Sequence, residues 1–131
     1  MICVDTAAVI AILLDEAERR RFSELLSDAD QTLISAGNLI ELRIVCRNRG
    51  GDWLVSRTEL LLTEYGIGVI PVDREQADIA HTAFTRFGKG TGHPAQLNYG
   101  DLFAYALAKA RGIPLLFKGA DFAATDIVAA A

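Results

Sequence analysis

Met1-Ile2-Cys3-Val4-Asp5-Thr6 opens the chain, and a second apolar run from Ala7 to Leu14 follows it directly. Ile2 to Val4 is short and rich in β-branched residues, which reads as a buried strand, and Asp5 stands where that strand leaves its sheet. A charge there is costly unless something pairs with it. In open α/β sheets ligands bind outside the carboxyl ends of the strands, so an acid at this exit is a candidate metal ligand. The same residue suits the N-cap of the helix expected from Ala7, a common use of aspartate. Position 5 alone is compatible with both.

Outward from this strand, helix and strand signals alternate, which predicts an α/β fold with a mainly parallel sheet. The Ala7 to Leu14 helix is followed by an amphipathic one from Glu16 to Ser27. Its apolar stripe is Phe22, Leu25 and Leu26, and Glu18, Arg19, Arg20, Glu24 and Asp28 are expected in water. Thr32 to Ser35 reads as a strand, and Ser35 precedes a helix to about Asn48 that Gly50-Gly51 stops. Asp52 is placed to cap a further helix through Tyr65, with Trp53, Leu54, Leu60, Leu61 and Leu62 among its apolar residues. Val69 to Val72 is the third strand, and Asp73-Arg74-Glu75-Gln76 has the pattern of a capping box opening a helix to Phe87. The loop from Gly88 to Pro94 cannot be regular structure. A helix from Tyr99 to Arg111 ends at Gly112, and Pro114 leads into the strand Leu115-Leu116-Phe117. Ala120 to Ala131 reads as a short helix and an edge strand.

The 131 residues fit one domain, 1–131, with no linker and no repeat. A hydrophobic fraction of 51% with 23% charged residues is globular composition and enough for a real core. The first apolar run lacks a basic leader and is broken by Asp5, so it reads as mature structure in a cytoplasmic protein with no membrane association. Cys3 and Cys46 lie in apolar segments, where cysteine behaves as a small hydrophobe, and two cysteines make neither a disulfide framework nor a zinc motif. A net charge of −4 argues against nucleic-acid binding through a general basic surface, but not against a nuclease whose bound cations meet the phosphates.

Most acids of the chain are explained by solvation, and four are not. Asp5 is the first. Glu41 has Ile44 and Val45 as its i+3 and i+4 neighbours, so it projects from an apolar helix face. Asp101 follows Asn98-Tyr99-Gly100 at the start of a helix and shares its face with Ala104, Tyr105 and Ala108. Asp121 comes just after the last strand. Separately, Glu41 can snorkel, Asp101 can favour its helix dipole, and Asp121 can sit in a turn. A doubly wound sheet, however, brings strand exits to one edge. Two carboxylates ~4 Å apart at an effective dielectric of ~20 repel by ~4 kcal/mol, so such a cluster wants a divalent cation. All-oxygen ligands suit Mg2+ or Mn2+.

Asp5-Thr6, Glu41, Asn98-Tyr99-Gly100-Asp101 and the closing Leu115-Leu116-Phe117-Lys118-Gly119-Ala120-Asp121-Phe122 together resemble the PIN domain, and within it the VapC-type toxin ribonucleases. The resemblance runs in order over essentially the whole chain. It implies a three-layer α/β/α sandwich around a mainly parallel central sheet. It further implies a metal-dependent endoribonuclease, using Mg2+ or Mn2+, that leaves 5′-phosphate and 3′-hydroxyl ends. A cognate VapB-type antitoxin would hold it inactive, and a homodimer is expected. By the same resemblance Asp5, Glu41, Asp101 and Asp121 are the catalytic and metal-binding quartet, Thr6 supports the site through its hydroxyl, and Asn98 positions the helix carrying Asp101. Lys118 departs from the family pattern, which often has Thr or Ser there, and is a candidate contact to RNA or to an acid. Arg43 and Arg47, one turn apart on the Glu41 helix, are candidate phosphate contacts or a solvated face. Asp126 is a candidate fifth acid or a turn residue. His81 is expected to be structural or exposed, and His93, in the glycine-rich loop, to face solvent or to touch RNA.

Rival readings lack parts. A phosphoacceptor receiver domain needs paired acids after the first strand and an aspartate ending the third, and an Asp-x-Asp phosphatase needs a second acid where Ala7 stands. A PIN fold kept only for binding would not be expected to retain the whole quartet.

Overall fold

The computed structural model describes residues 1–131. In chain order the elements are β1 (Ile2–Val4), α1 (Thr6–Leu13), α2 (Arg19–Asp28), β2 (Thr32–Ser35), α3 (Ala36–Glu64), β3 (Gly68–Ile70), α4 (Arg74–Phe87), α5 (Tyr99–Arg111) and β4 (Leu115–Leu116), with a single 3-10 turn at Phe122–Ala124. The strands form one parallel sheet in the order β3-β2-β1-β4, with Cys3 of β1 paired to Leu33 of β2 and Leu115 of β4.

Alternation along these strands builds the three layers, because successive side chains point to opposite faces. Val4, Ile34 and Leu116 pack with α1, α2 and α3, whereas Cys3, Leu33 and Leu115 pack with α4 and α5. From β1 the chain moves to β2 and β3 on one side and returns to β4 on the other, so the strand order reverses beside β1. A crevice opens at such a reversal, outside the carboxyl ends of the strands. Asp5 leaves β1 into it, its N–H donating to the Leu116 carbonyl at 3.0 Å.

The stop read at Gly50-Gly51 is a reversal within α3 at Gly51, whose φ of 63° lies in the left-handed region that glycine enters freely. In a straight helix residues 16 apart are separated by ~24 Å. Here Arg43 Nε lies 2.7 Å from Glu59 Oε1, and the Thr58 hydroxyl donates to Cys46 Sγ at 3.2 Å. Residues 36–50 and 52–64 therefore lie back to back as two arms.

Several local expectations need correction. The second helix begins at Arg19 instead of Glu16, because Asp15 at φ 54° ends α1 and residues 16–18 form a turn. Glu18 does not face water: its Oε1 is buried 3.5 Å from Lys118 Nζ. β3 stops at Ile70 because Pro71 has no N–H for the ladder. Only half of the capping box at Asp73 forms: Asp73 Oδ1 accepts from the Gln76 N–H at 2.9 Å, but the Gln76 side chain donates to the Pro71 carbonyl. Trp53 and Leu60 are exposed, the former at 70%, because the second arm of α3 turns them away from the sheet. Both cysteines are buried and free, and no helix is long and apolar enough to cross a membrane.

Candidate metal centre

Asp5 is only 6% exposed. It caps α1 through its backbone, with no side-chain bond to the helix end in the usual N-cap manner, so the carboxylate is left for other work. Burial, and then the negative charges of Asp101 and Glu41, push its carboxyl up to about 7 against the weaker opposing pull of the nearby Ala7 and Thr6 backbone N–H groups. Burial is the larger cause, and the two neighbouring acids add to it, so Asp5 stands in a buried, anionic site. The Thr6 hydroxyl donates to the Asn38 carbonyl at 3.3 Å, tying α1 to α3.

Glu41 lies on the first arm of α3, half-buried against Gly100. A Cβ at position 100 would meet the Glu41 carboxylate, which would have to swing aside, so the glycine leaves room for this orientation of Glu41. Asn38, one turn before Glu41, is fully buried, and its amide donates to the Gly100 carbonyl at 2.9 Å and to Glu41 Oε1 at 3.4 Å. Sequence reasoning overlooked Asn38. The available signal was its spacing three residues ahead of Glu41, on the same helix face.

Asp101 and Asn98 form a complete capping box: Asn98 Oδ1 accepts from the Asp101 N–H at 2.9 Å, and Asp101 Oδ2 accepts from the Asn98 N–H at 3.0 Å. Asp101 is thus anchored through one oxygen. Burial raises its carboxyl above the ordinary range, the Asn98 N–H opposes this, and the charges of Asp121 and Glu41 add to the rise. Asp121 is exposed in the loop after β4 and reaches the group as a charge on Asp101.

The remaining candidates stand elsewhere. Lys118 pairs with Glu16 at 2.7 Å and Glu18 at 3.5 Å, joining the β4 exit to the turn before α2. Arg43 pairs with Glu59 and Arg47 with Asp52, both across the Gly51 reversal. Asp126 accepts from the Tyr105 hydroxyl at 2.6 Å and from Lys109 Nζ at 2.9 Å, so it fastens the C-terminal segment to α5. His93 accepts the Ala95 N–H within its loop, and His81 is exposed.

The quartet gathers negative charge without forming a finished cage: no three Asp, Glu, His or Cys side chains are set to grip an ion as they stand. Glu41 is half-buried and Asp121 exposed, so the group is open on their side. As a donor set they are hard oxygens, fitting Mg2+ or Mn2+.

The PIN domain family model matches residues 2–128. Ribonuclease VapC42 of Mycobacterium tuberculosis is 42% identical over 124 residues, covering 95% of each chain. Ribonuclease VapC of Mycolicibacterium smegmatis is 41% identical over 126 residues, covering 96% of this chain and 97% of its own. Among solved structures, M. tuberculosis VapC20, a sarcin-ricin loop cleaving toxin, superposes with a TM-score of 0.79 at 18% identity over 98% of this chain and 97% of its own. VapBC2 from Rickettsia felis, bound to a DNA fragment from its promoter, gives 0.78 at 17% identity over 98% and 96%. With its parallel sheet, acids at the strand exits and near-complete alignment to these ribonucleases, the chain belongs to the PIN-domain family, among the VapC ribonucleases.

Proposed function

We propose that this chain is a metal-dependent endoribonuclease toxin, with Asp5, Glu41, Asp101 and Asp121 holding Mg2+ or Mn2+ and a cognate VapB-type antitoxin as its inhibitor. One observation carries the reading. A nearly fully buried acid at the strand-order reversal has its carboxyl pushed to about 7 by burial and by two other acids drawn from separate helices. A fold maintains such repulsion where a cation is to be bound.

A bound divalent ion supplies activation of water and neutralisation of phosphate charge. Asp5 gives the fixed, buried end of the site. Asp101, anchored at Oδ2, leaves Oδ1 for the centre. Glu41 and Asp121, half-buried and exposed, would hold the ion from the open side. Single-stranded or loop RNA, with its backbone accessible, suits an open acidic crevice.

Without substrate, this crevice also suits a basic side chain, which would block metal and RNA together. We place such a residue on the antitoxin. The family relation and the toxin–antitoxin assemblies among similar folds support that partner. A homodimer is supported by a continuous apolar face: Ile40, Ile44, Val72 and Phe103 meet around Tyr99, which is 77% exposed.

Cleavage of a loop-containing RNA in Mg2+ and in chelator, with the ends mapped, tests the reading. The expected result is Mg2+-dependent cutting with 5′-phosphate products. Equal cutting in chelator would overturn it.

A further inference from the structure

We propose that Asn38 is the positioning residue that holds the acidic centre in register, a role that rests on the metal-nuclease reading above. Three of the four acid-bearing segments meet on this one residue. Thr6, the neighbour of Asp5, donates to its carbonyl at 3.3 Å. Its amide reaches the carbonyl of Gly100, the neighbour of Asp101, at 2.9 Å, and the Glu41 carboxylate itself at 3.4 Å. One buried side chain and its own carbonyl therefore brace α1, α3 and α5 against one another at the level of the acids.

The orientation of the amide follows from its partners. Turned over, Oδ1 would face a carbonyl and a carboxylate, both acceptors, so Nδ2 must point to them. This leaves Oδ1 buried without a partner. An unpaired buried acceptor is unfavourable, and an apolar residue of similar volume would remove it. Cores rarely keep such a group without another reason. Here the reason is the pair of donors on the opposite atom, which no aliphatic side chain supplies. The contact to Glu41 is the longer of the two, so it directs the carboxylate without locking it, leaving it able to close on an ion.

A merely structural pin and a positioning residue differ in what their loss changes. Loss of a structural pin lowers the melting temperature and leaves the folded protein's ion affinity intact. Loss of an outer partner of a metal ligand weakens the ion by about 10–100-fold. The test uses the full chain with Asn38→Leu and Asn38→Ser, the serine variant deciding the matter if leucine prevents folding. Mn2+ affinity by calorimetry and melting in chelator are read for each. The expected result is Asn38→Leu melting at or above wild type in chelator, with Mn2+ bound at least ~10-fold more weakly, and Asn38→Ser likewise weakened. A folded variant with wild-type Mn2+ affinity would overturn the role of Asn38 alone. A wild-type chain that takes up no Mn2+ would overturn the metal reading, and this role with it.

Discussion

Asn98 and Asp101 exchange two hydrogen bonds, each side chain accepting from the other's backbone N–H. The same carboxylate thus starts α5 and faces the acidic crevice. The two roles separate by substitution. Asp101→Asn keeps a carbonyl oxygen for the Asn98 N–H and sheds a charge that burial, Asp121 and Glu41 all disfavour. It should abolish cleavage yet melt at or above wild type in chelator, and gain less from added Mg2+. Asp101→Ala keeps the cap bond from its own N–H to Asn98 but loses the reciprocal bond to the Asn98 N–H, and should cost about 0.5–1.5 kcal/mol relative to Asp101→Asn. Melting curves with and without Mg2+, beside a cleavage assay, check both, and an active Asp101→Asn enzyme would remove Asp101 from the centre.

Asp5 predicts a pH dependence of stability in the metal-free protein. Its folded value, about 7, lies above the ordinary 3.8, so the folded state binds the extra proton between these values. The destabilisation is absent below about 4, grows as pH rises, and is complete above about 7. Three pKa units correspond to up to about 4 kcal/mol. In chelator, wild type should therefore gain stability relative to Asp5→Asn on going from pH 7.5 to 5, and Mg2+ affinity should fall over the same interval as protons compete. Parallel pH profiles of the two proteins would contradict the assignment.

Gly100 leaves room for the Glu41 carboxylate. Gly100→Ala must push the flexible Glu41 carboxylate aside, so cleavage should drop while stability changes little. Circular dichroism and a Mg2+ titration of activity distinguish a displaced ligand from an unfolded chain.

The apolar face around Tyr99 predicts a second copy of the chain as its cover. Ile44→Glu, on an exposed position lining that face, should yield monomers in sedimentation at micromolar concentration with the melting temperature little changed. A wild-type monomer under the same conditions would contradict the dimer.

Arg43 and Arg47 were candidates for flanking phosphates, and each is already paired across the Gly51 reversal. Replacing Arg43 by Gln should cost no more than ~1 kcal/mol, as for other exposed pairs. The dependence of RNA binding on salt should stay as in wild type. A salt slope smaller by about one unit would restore Arg43 as a phosphate contact.

Legibility in the sequence followed the range of the interactions. Asp5 and Asp101 stood out because each is an acid set into apolar sequence, and the Asn98 cap is local, three residues from its partner. Asn38 passed unnoticed because its decisive partner, the Gly100 carbonyl, lies 62 residues away and carries no side chain to betray it. The pairing of Lys118 with Glu16 spans 102 residues and was equally hidden. Glycines signalled the bend of α3, but not that its arms would fold together and consume both arginines.

β1 lies inside the sheet although it is the first strand made, and its partner on one side, β4, begins only at Leu115. A nascent chain emerging from the ribosome therefore holds one flank of β1 open until Leu115 and Leu116 have been made. Asp121 follows later still. Until then the chain carries an unpaired hydrophobic edge, which favours self-association, and lacks one of its four acids. Ribosome-bound fragments ending before Leu115 should consequently be sticky but unable to cut RNA, so that cutting awaits the segment that brings both β4 and Asp121.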